Sequence, residues 1–491
     1  MYNDLILDLN HHYRKFKDKD KEPALFFHFL AVLALKYIYD TRNRTLPFKL
    51  ETTLADNLQQ IFRQNTRSSV AVALDKSINQ ISKKYKSTLA GVFADISFRE
   101  LESGKEKTLE NKLNILISEV SDLDLSSTEV DDTHGLVVGG AIEYLIEKYA
   151  EEHFHKNGFL YTPRSISKLM AELAGPDESL TVYDPASGLG TLLIQCSRAG
   201  NIPDYKLYGQ DINPQYVQLC RFNLLFNGLI RAEIETANSL QNSKFVSGKK
   251  LLAFDRIVTH PPYHIETFLP AQPELIFEKD KETRHLFLVE EPAVAYKSAK
   301  ESLSIKAAET EGDFITHILQ SMQPDGKAIL IVPHGALFKL GNAHTVRRYL
   351  IHKNYIEAVI DMPPNIFYSS KTNVSILILN KKKSHTDILF IDASSNFEPD
   401  RRRNKLRTEH TTYIREIFEA YKSVKNYAHR ASFEEVTNSD NNYNLTAKRY
   451  IKHNLIPTGK DIQPLKERID NLSAELKKVQ KLINEELKYF I

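Results

Sequence analysis

Two short stretches carry the residue types that could do chemistry. The first is Asp184-Pro185-Ala186-Ser187-Gly188-Leu189-Gly190-Thr191, preceded by the apolar run Leu180-Thr181-Val182-Tyr183. Glycines at a turn from strand to helix let backbone approach a ligand closely, because they lack a Cβ and tolerate positive φ. Roughly 20 residues further on, Asp211 stands in Tyr208-Gly209-Gln210-Asp211-Ile212-Asn213. A carboxylate at the end of a second strand can accept hydrogen bonds from the ribose hydroxyls of an adenosine. A mere tight connection would use the same glycines, but strand, turn, helix, strand and acid in register point to a nucleoside. Asp184-Pro185 ahead of the glycines, and a threonine rather than a third phosphate-cradling glycine, fit S-adenosylmethionine better than a dinucleotide. The second stretch is His260-Pro261-Pro262-Tyr263, fed by the apolar run from Phe254 to Thr259. Its two prolines restrict the backbone and remove two amide donors. A neutral imidazole offers one acceptor nitrogen, whereas a protonated one has only donors. A proline-rich turn after a core strand would show the same letters. His260 and His264 lack enough neighbouring ligands for a zinc site.

The rest of the chain must position these stretches. At 491 residues it is too long for one ordinary domain. A net charge of +2 gives no global footprint for nucleic acid, so any such surface must come from local basic patches. Two such clusters occur, Lys381-Lys382-Lys383 and Arg401-Arg402-Arg403-Asn404-Lys405-Leu406-Arg407. With only Cys196 and Cys220 present, a disulfide framework or four-cysteine zinc site is excluded. The polar start and the lack of a membrane-length apolar run predict a cytoplasmic protein.

Apolar spacing predicts helices through the first 125 residues or so, with a long buried one over Ala24 to Ile38 and amphipathic ones over Leu54–Phe62 and Leu109–Val120. Polar residues from Ser121 to Thr133 mark a linker. Beyond it, short apolar runs alternate with helical stretches: Leu180–Tyr183, Lys206–Gly209, Arg256–Thr259, Ala328–Val332, Ala358–Ile360 and Val374–Leu379. That alternation predicts an α/β domain with a largely parallel sheet. At the end, Leu465, Ile469, Leu472, Leu476, Val479 and Ile483 form a heptad seam between charged positions. Such a narrow stripe packs against another helix, from its own domain or from a partner.

The Asp-Pro-x-x-Gly-x-Gly loop resembles the cofactor loop of adenine-specific DNA methyltransferases. Upstream, Tyr161-Thr162-Pro163-Arg164 is similar to the Tyr-Thr-Pro segment those enzymes place beside the methionine part of the cofactor. By themselves, Thr162 and Pro163 equally suit a helix start, with Thr as cap and Pro in the first turn. His260-Pro261-Pro262-Tyr263 stands where that family has a tetrad opening with Asn, Asp or Ser. In the family, that first side chain and the adjacent carbonyl accept both amino hydrogens of a flipped adenine, while the aromatic residue stacks on the base. Ala237-Asn238-Ser239-Leu240 stands where the family usually has Gly-Asp-x-Leu. Further segments, including Pro324 to Phe338, Ile356 to Pro363 and Tyr443 to Tyr450, resemble the modification subunit of type I restriction-modification systems.

The resemblance implies a Rossmann-like class I methyltransferase domain over 131–455, an all-α domain over 1–130 and a coiled-coil-type helical tail over 456–491. It implies S-adenosyl-L-methionine as cofactor and no metal. The implied cofactor residues are Tyr161, Thr162, Pro163, Arg164, Asp184, Ala186, Ser187, Gly188, Gly190, Thr191, Asp211, Ile212, Asn238 and Ser239. The implied catalytic residues are His260, Pro261, Pro262 and Tyr263. The expected reaction is methyl transfer to the exocyclic amino nitrogen of a flipped adenine, within a restriction-modification or related defence complex. Expected partners are double-stranded DNA and a specificity subunit bound through the C-terminal helix. Two copies per specificity subunit are expected, with a restriction subunit as a further candidate and no membrane. Two alternatives stand beside this reading. One is a catalytically inactive relative that binds cofactor or DNA as scaffold or sensor, motivated by His260 and Asn238. The other is a methyltransferase for another planar amino group, such as a protein glutamine or an RNA base.

Overall fold

Every residue from Leu25 to Ile38 is buried, so α2 (Pro23–Thr41) is a helix apolar on all sides and sits at the centre of a helical layer. Around it lie α1 (Tyr2–Lys17), α3 (Thr52–Phe62), α4 (Val70–Lys84), the single turn α5 (Lys86–Leu89) and α6 (Glu106–Ser121). The protein is seen in a computed structural model that describes residues 2–17, 23–43, 48–64, 66, 68–89, 91–99, 106–131, 135–153, 161–248, 250–262, 314–367, 372–400, 403–451, 472–473, 476 and 478–479. The polar exceptions on α2 are satisfied. Lys36 Nζ donates to Asp40 at 2.6 Å and to the Leu123 carbonyl at 2.7 Å, and a His28 ring nitrogen meets the Ser97 carbonyl at 3.1 Å. Within the expected linker, Leu125 is buried and its N–H donates to Asp40 at 3.1 Å.

The same hydrophobic core continues into α7 (Val137–His153) and α10 (Pro214–Phe226). Phe26 stacks on Tyr149 at 3.9 Å between ring centres, and Tyr37 meets Phe226 edge-on at 5.3 Å. The helical layer therefore forms one wall of the domain that follows.

That domain is built on a nine-stranded sheet. Its strands are β1 (Val182–Asp184), β2 (Leu207–Asp211), β3 (Glu233–Thr236), β4 (Phe254–Thr259), β5 (Met322–Pro333), β6 (Ile356–Asp361), β7 (Val374–Asn380), β8 (Ile388–Asp392) and β9 (Ala428–Ala431). The spatial order is β9-β8-β6-β7-β5-β4-β1-β2-β3. The pairs β1/β2, β2/β3, β1/β4, β4/β5 and β6/β8 are parallel. The sheet is largely parallel, as the alternation predicts; the exceptions are β7, which runs antiparallel between β5 and β6, and β9, which is antiparallel to β8. Alternate residues of β5 feed two cores: Ile329 and Ile331 face one, while Ala328, Leu330 and Val332 face the other.

The first core is closed by α8 (Arg164–Ala174), α9 (Thr191–Gly200) and α14 (Thr408–Ala420). The second is closed by α11 (Phe314–Ser321), α12 (His334–Phe338), α13 (Asn342–His352), α15 (Phe433–Thr437) and α16 (Ala447–Tyr450). The Tyr443–Tyr450 segment serves packing here, since Tyr450 stacks on Phe390 of β8 at 4.0 Å. After β3 the chain crosses to the other side of β1, so a crevice opens at the carboxyl ends of β1 and β4, where open α/β sheets bind ligands. Among the described residues no helix is long and apolar enough to cross a membrane. Tyr263 to Gly312, Arg401, Arg402, Leu465, Ile469 and Ile483 lie outside the described residues.

Candidate active site

The loop after β1 is fixed by main-chain bonds. Ala186 N–H donates to Asp184 Oδ1 at 3.0 Å, Ser187 N–H to the Gln210 carbonyl at 3.0 Å, and Gly190 N–H to the Ser187 carbonyl at 2.8 Å. Gly188 and Gly190 both take left-handed backbone, with φ of +50° and +77°. A Cβ on Gly190 would lie 2.7 Å from Cys220 Sγ on α10, so that position is restricted twice over. Asn223, also on α10, donates to the Leu189 carbonyl at 3.0 Å. The loop ends by starting α9, whose first amides are left without intrahelical partners and lie at the loop.

At the end of β2, Asp211 Oδ2 accepts Gly188 N–H at 3.0 Å and Oδ1 accepts Asn213 N–H at 2.9 Å. Each oxygen keeps a further lone pair, which suits ribose hydroxyls. Burial raises the Asp211 pKa, opposed by the Asn213 and Gly188 amides. Ile212 beside it is 67% exposed. The Asn238 segment is tied across both strands. Ala237 N–H donates to the Asp211 carbonyl at 3.0 Å, Ser239 Oγ to the Pro185 carbonyl at 2.6 Å, and Leu240 N–H to Asn238 Oδ1 at 2.9 Å. Buried Gln210 completes the brace, donating to the Ala237 and Asn242 carbonyls at 3.2 and 3.1 Å and accepting Lys244 N–H at 3.0 Å.

Tyr161, Thr162, Asp184, Ala186, Ser187, Gly188, Thr191 and His260 line one pocket, together with Leu189 and Leu192. Several oxygens in its wall are buried without a hydrogen-bond partner among the described residues: Tyr161 Oη, Asp184 Oδ2, Ser187 Oγ and Thr191 Oγ1. The Thr191 and Thr259 hydroxyls lie near enough to Tyr161 and Asp184 to influence their protonation, without reaching hydrogen-bond geometry. Leaving such a group unsatisfied costs about 1–3 kcal/mol, so several in one wall favour a polar ligand. Burial pushes the Asp184 pKa up to about 7, with the Asp211 charge adding to the rise and the Ala186 amide and Thr259 opposing it. These donors and acceptors fit an amino-acid nucleoside such as S-adenosylmethionine.

The second motif meets the first in this pocket. His260 follows β4 directly and is 6% exposed. Its Nδ1 lies 2.7 Å from Thr162 Oγ1, both side chains being buried. The ring tilts against Phe367, 4.9 Å away between centres, from the loop after β6. Burial pushes the His260 pKa down to about 3, so the ring is neutral at physiological pH. Pro261 is buried, Pro262 is exposed, and Tyr263 lies outside the described residues.

Two neighbouring expectations resolve differently. Pro163 occupies the cap position of α8 and Thr162 precedes it, so the Thr162 side chain is not the helix cap and goes to His260 instead. Arg164 does not line the pocket. It turns to Glu143 of α7 at 3.2 Å, a buried carboxylate that Arg198 also approaches at 3.7 Å. Several described members of the basic clusters are engaged within the fold. Lys381 Nζ donates to the Leu319 and Met322 carbonyls at 2.7 and 2.8 Å, and Lys383 Nζ to Ile356 at 2.6 Å. Arg407 pairs with Glu398, and Lys405 with Asp400 at 2.7 Å. Phe367, Gln210, Asn223 and Thr259 shape the site without any local sequence signal, because each acts on a segment distant in the chain. A larger cleft, about 160 Å³ and lined by Thr88, Arg221 and Glu235 among others, lies between α5 and β3, away from the β1 and β4 carboxyl ends.

Residues 134–457, well over half of the 491, match the N-6 DNA Methylase family. The chain is similar to the type I restriction enzyme MpnII methylase subunit of Mycoplasma pneumoniae, with 26% identity over 94% of this chain and 90% of that protein. It is similar to the type I restriction enzyme HindI methylase subunit of Haemophilus influenzae, with 26% identity over 70% of this chain and 74% of that one. Among solved structures it matches the type I restriction-modification methyltransferase subunit from Streptococcus thermophilus at a TM-score of 0.73 and 20% identity, covering 92% and 100% of the two chains. That likeness bears on the fold, which is the Rossmann-like methyltransferase fold behind a helical N-terminal layer. With the family match running through both motifs and every strand of the sheet, the chain belongs to the N-6 DNA methylase family of adenine-specific DNA methyltransferases.

Proposed function

We propose that the chain is the modification subunit of a type I-like restriction-modification or related defence complex. Its reaction is transfer of a methyl group from S-adenosylmethionine to the exocyclic amino nitrogen of an adenine flipped out of DNA. The observation that carries this reading is the Thr162–His260 contact, at which the cofactor-side segment and the tetrad position face one pocket. The bound cofactor supplies an activated methyl group. Asp211 holds the ribose hydroxyls, and the pocket oxygens of Ser187 and Thr191 hold the amino-acid end. His260 and the carbonyl beside it accept the amino hydrogens, and Tyr263 stacks on the base. Such a displacement needs orientation rather than a covalent nucleophile, and the stiff Pro261-Pro262 backbone supplies part of it.

Target choice falls to a specificity subunit. Leu472, Leu476 and Val479 support that part of the reading, being 57%, 69% and 55% exposed along one heptad stripe. The expected assembly has two copies of this chain per specificity subunit, with a restriction subunit as an optional member. The residue divisions 1–130, 131–455 and 456–491 then correspond to a DNA-closing helical domain, the methyltransferase domain and the docking tail.

The test is tritiated methyl transfer to host-sequence DNA by this chain co-expressed with a neighbouring specificity-like subunit. Wild type, Tyr263→Ala and His260→Asn are run together. Incorporation into adenine that is lost in Tyr263→Ala supports the reading. No wild-type incorporation, despite bound cofactor and a formed complex, leaves an inactive binding subunit; activity only in His260→Asn would name histidine as the cause.

A further inference from the structure

His260 can replace an acceptor only if the correct ring nitrogen carries the proton. The ring is buried and neutral, so it has one N–H and one lone pair. The 2.7 Å contact between Nδ1 and Thr162 Oγ1 admits two arrangements. In one, the Thr162 hydroxyl donates to Nδ1 and the proton sits on Nε2, making Nε2 a donor. In the other, Nδ1–H donates to Thr162 Oγ1 and the lone pair sits on Nε2. An exocyclic amino group brings N–H donors, so the first arrangement opposes donor to donor and only the second accepts it.

The surroundings are compatible with the second, which is the one an amino group requires. Thr162 is fixed on the entry to α8: Pro163 follows it, and its carbonyl accepts Ser167 Oγ at 3.3 Å. The pocket that Thr162 lines carries other oxygens without hydrogen-bond partners among the described residues, at Asp184, Ser187 and Thr191, so it is polar enough to hold a ligand that would take the Thr162 hydroxyl hydrogen. Phe367 against the ring limits its tilt. An asparagine would need none of this, since its acceptor oxygen is set by covalent structure. A histidine needs a second residue to choose its tautomer.

We propose that Thr162 is a positioning residue that accepts a hydrogen bond from His260 Nδ1–H and thereby holds Nε2 as the acceptor for one amino hydrogen of the target base. The proposal rests on the methyl-transfer reading for the identity of that base, and on the Thr162–His260 geometry for everything else.

The test uses the full chain with its specificity-like partner, as wild type, Thr162→Val, Thr162→Ser, His260→Asn and the Thr162→Val/His260→Asn double variant. Thr162→Val keeps the side-chain shape and removes the acceptor. It lowers kcat roughly tenfold while KM for DNA moves less than about threefold, and Thr162→Ser restores most of the loss. In the His260→Asn background the same Thr162→Val change costs less than about twofold. Long-range proton–nitrogen spectra of 15N-histidine-labelled protein give the second readout, with the His260 signal assigned by its loss in His260→Asn. A pyridine-type Nε2 in wild type is the expected result. A pyrrole-type Nε2 overturns the proposal whatever the activity. So does a Thr162→Val penalty of unchanged size in the His260→Asn background, because Thr162 would then serve something other than the ring. A pyridine-type Nε2 in a chain that binds cofactor but does not methylate removes the methyl-transfer reading and leaves the tautomer assignment standing.

Discussion

The loop after β1 and the turn after β4 face the same pocket but are held by different means. Main-chain bonds hold the first: Gly188, Ser187 and Gly190 amides are each spoken for, and two positive-φ glycines set the path. Side chains hold the second: the His260 ring is hydrogen-bonded with Thr162 and rests against Phe367, while Pro261 and Pro262 supply stiffness without donors. A backbone-built cradle tolerates changes in side chains but not in chain path. A side-chain-built grip tolerates a new residue type only if its neighbours can hold the new atoms correctly. The departure from the family's usual residue at position 260 thus falls in the half where a partner such as Thr162 can compensate.

The largest effect should come from breaking the backbone-built half. Gly190→Ala puts a side chain at φ +77° and a Cβ 2.7 Å from Cys220 Sγ. Left-handed strain and overpacking together should cost roughly 2–4 kcal/mol of stability. Chemical denaturation should show that loss, and calorimetry should show cofactor affinity weakened at least about tenfold as the loop shifts. Adding Cys220→Ala relieves the contact but not the backbone strain, so only part of the stability should return. Full recovery would mean that φ at Gly190 is not restrictive.

The two halves also titrate in opposite senses. His260 is pushed from 6.5 down to about 3 by burial, so the unfolded chain binds more protons between those values. Its contribution is fully present above pH 6.5 and is lost as pH falls towards 3, with a slope of up to about 1.4 kcal/mol per pH unit. Asp184 is pushed from 3.8 up to about 7, again by burial first. The folded chain binds more protons there, so this contribution is present below pH 3.8 and is lost as pH rises towards 7. His317, pushed down to about 4 by burial, adds to the His260 side. Urea unfolding from pH 4.5 to 7 should show His260→Asn gaining on wild type as pH falls, and Asp184→Asn gaining as pH rises. Parallel curves for either variant and wild type would mean that the group is not held in its neutral form.

How far the sequence reveals each half follows from the same contrast. The glycine loop, its flanking strands and Asp211 are local patterns, and they lie where the alternation and spacing predict. The buried α2 is equally plain, because no face of Leu25–Ile38 is polar enough to meet water. Strand β3 has a single buried residue, Ile234, and offers little periodic signal; the antiparallel insertion of β7 is a matter of neighbours, which local pattern does not encode. In the tetrad half, Thr162 resembles a helix cap until its partner 98 residues away is known. Arg164 sits two positions after Thr162, but the turn of α8 carries its side chain away to Glu143. Phe367 belongs to a loop whose role appears only when β6 is placed beside β7 and β8.

The smallest expected effect sharpens the comparison where the two modes of support meet, at Asn238. Its Oδ1 accepts the Leu240 amide at 2.9 Å, which holds the turn, and the segment is pinned to β2 through Ala237. Asn238→Asp keeps that acceptor and exchanges the amide NH2 for a second acceptor, as in the family's usual Gly-Asp-x-Leu. If this position receives a donor from the cofactor's adenine, S-adenosylhomocysteine should bind roughly two- to threefold more tightly by calorimetry, the size of a fraction of one hydrogen bond. The gain stays small because a new charge near buried Asp211 works against it. Binding weakened instead by about tenfold would mean that the Asn238 NH2 donates to the ligand. The side chain would then act as a donor here where His260 acts as an acceptor, and the adenine end of the pocket, like the catalytic turn, would depend on which hydrogen a side chain presents.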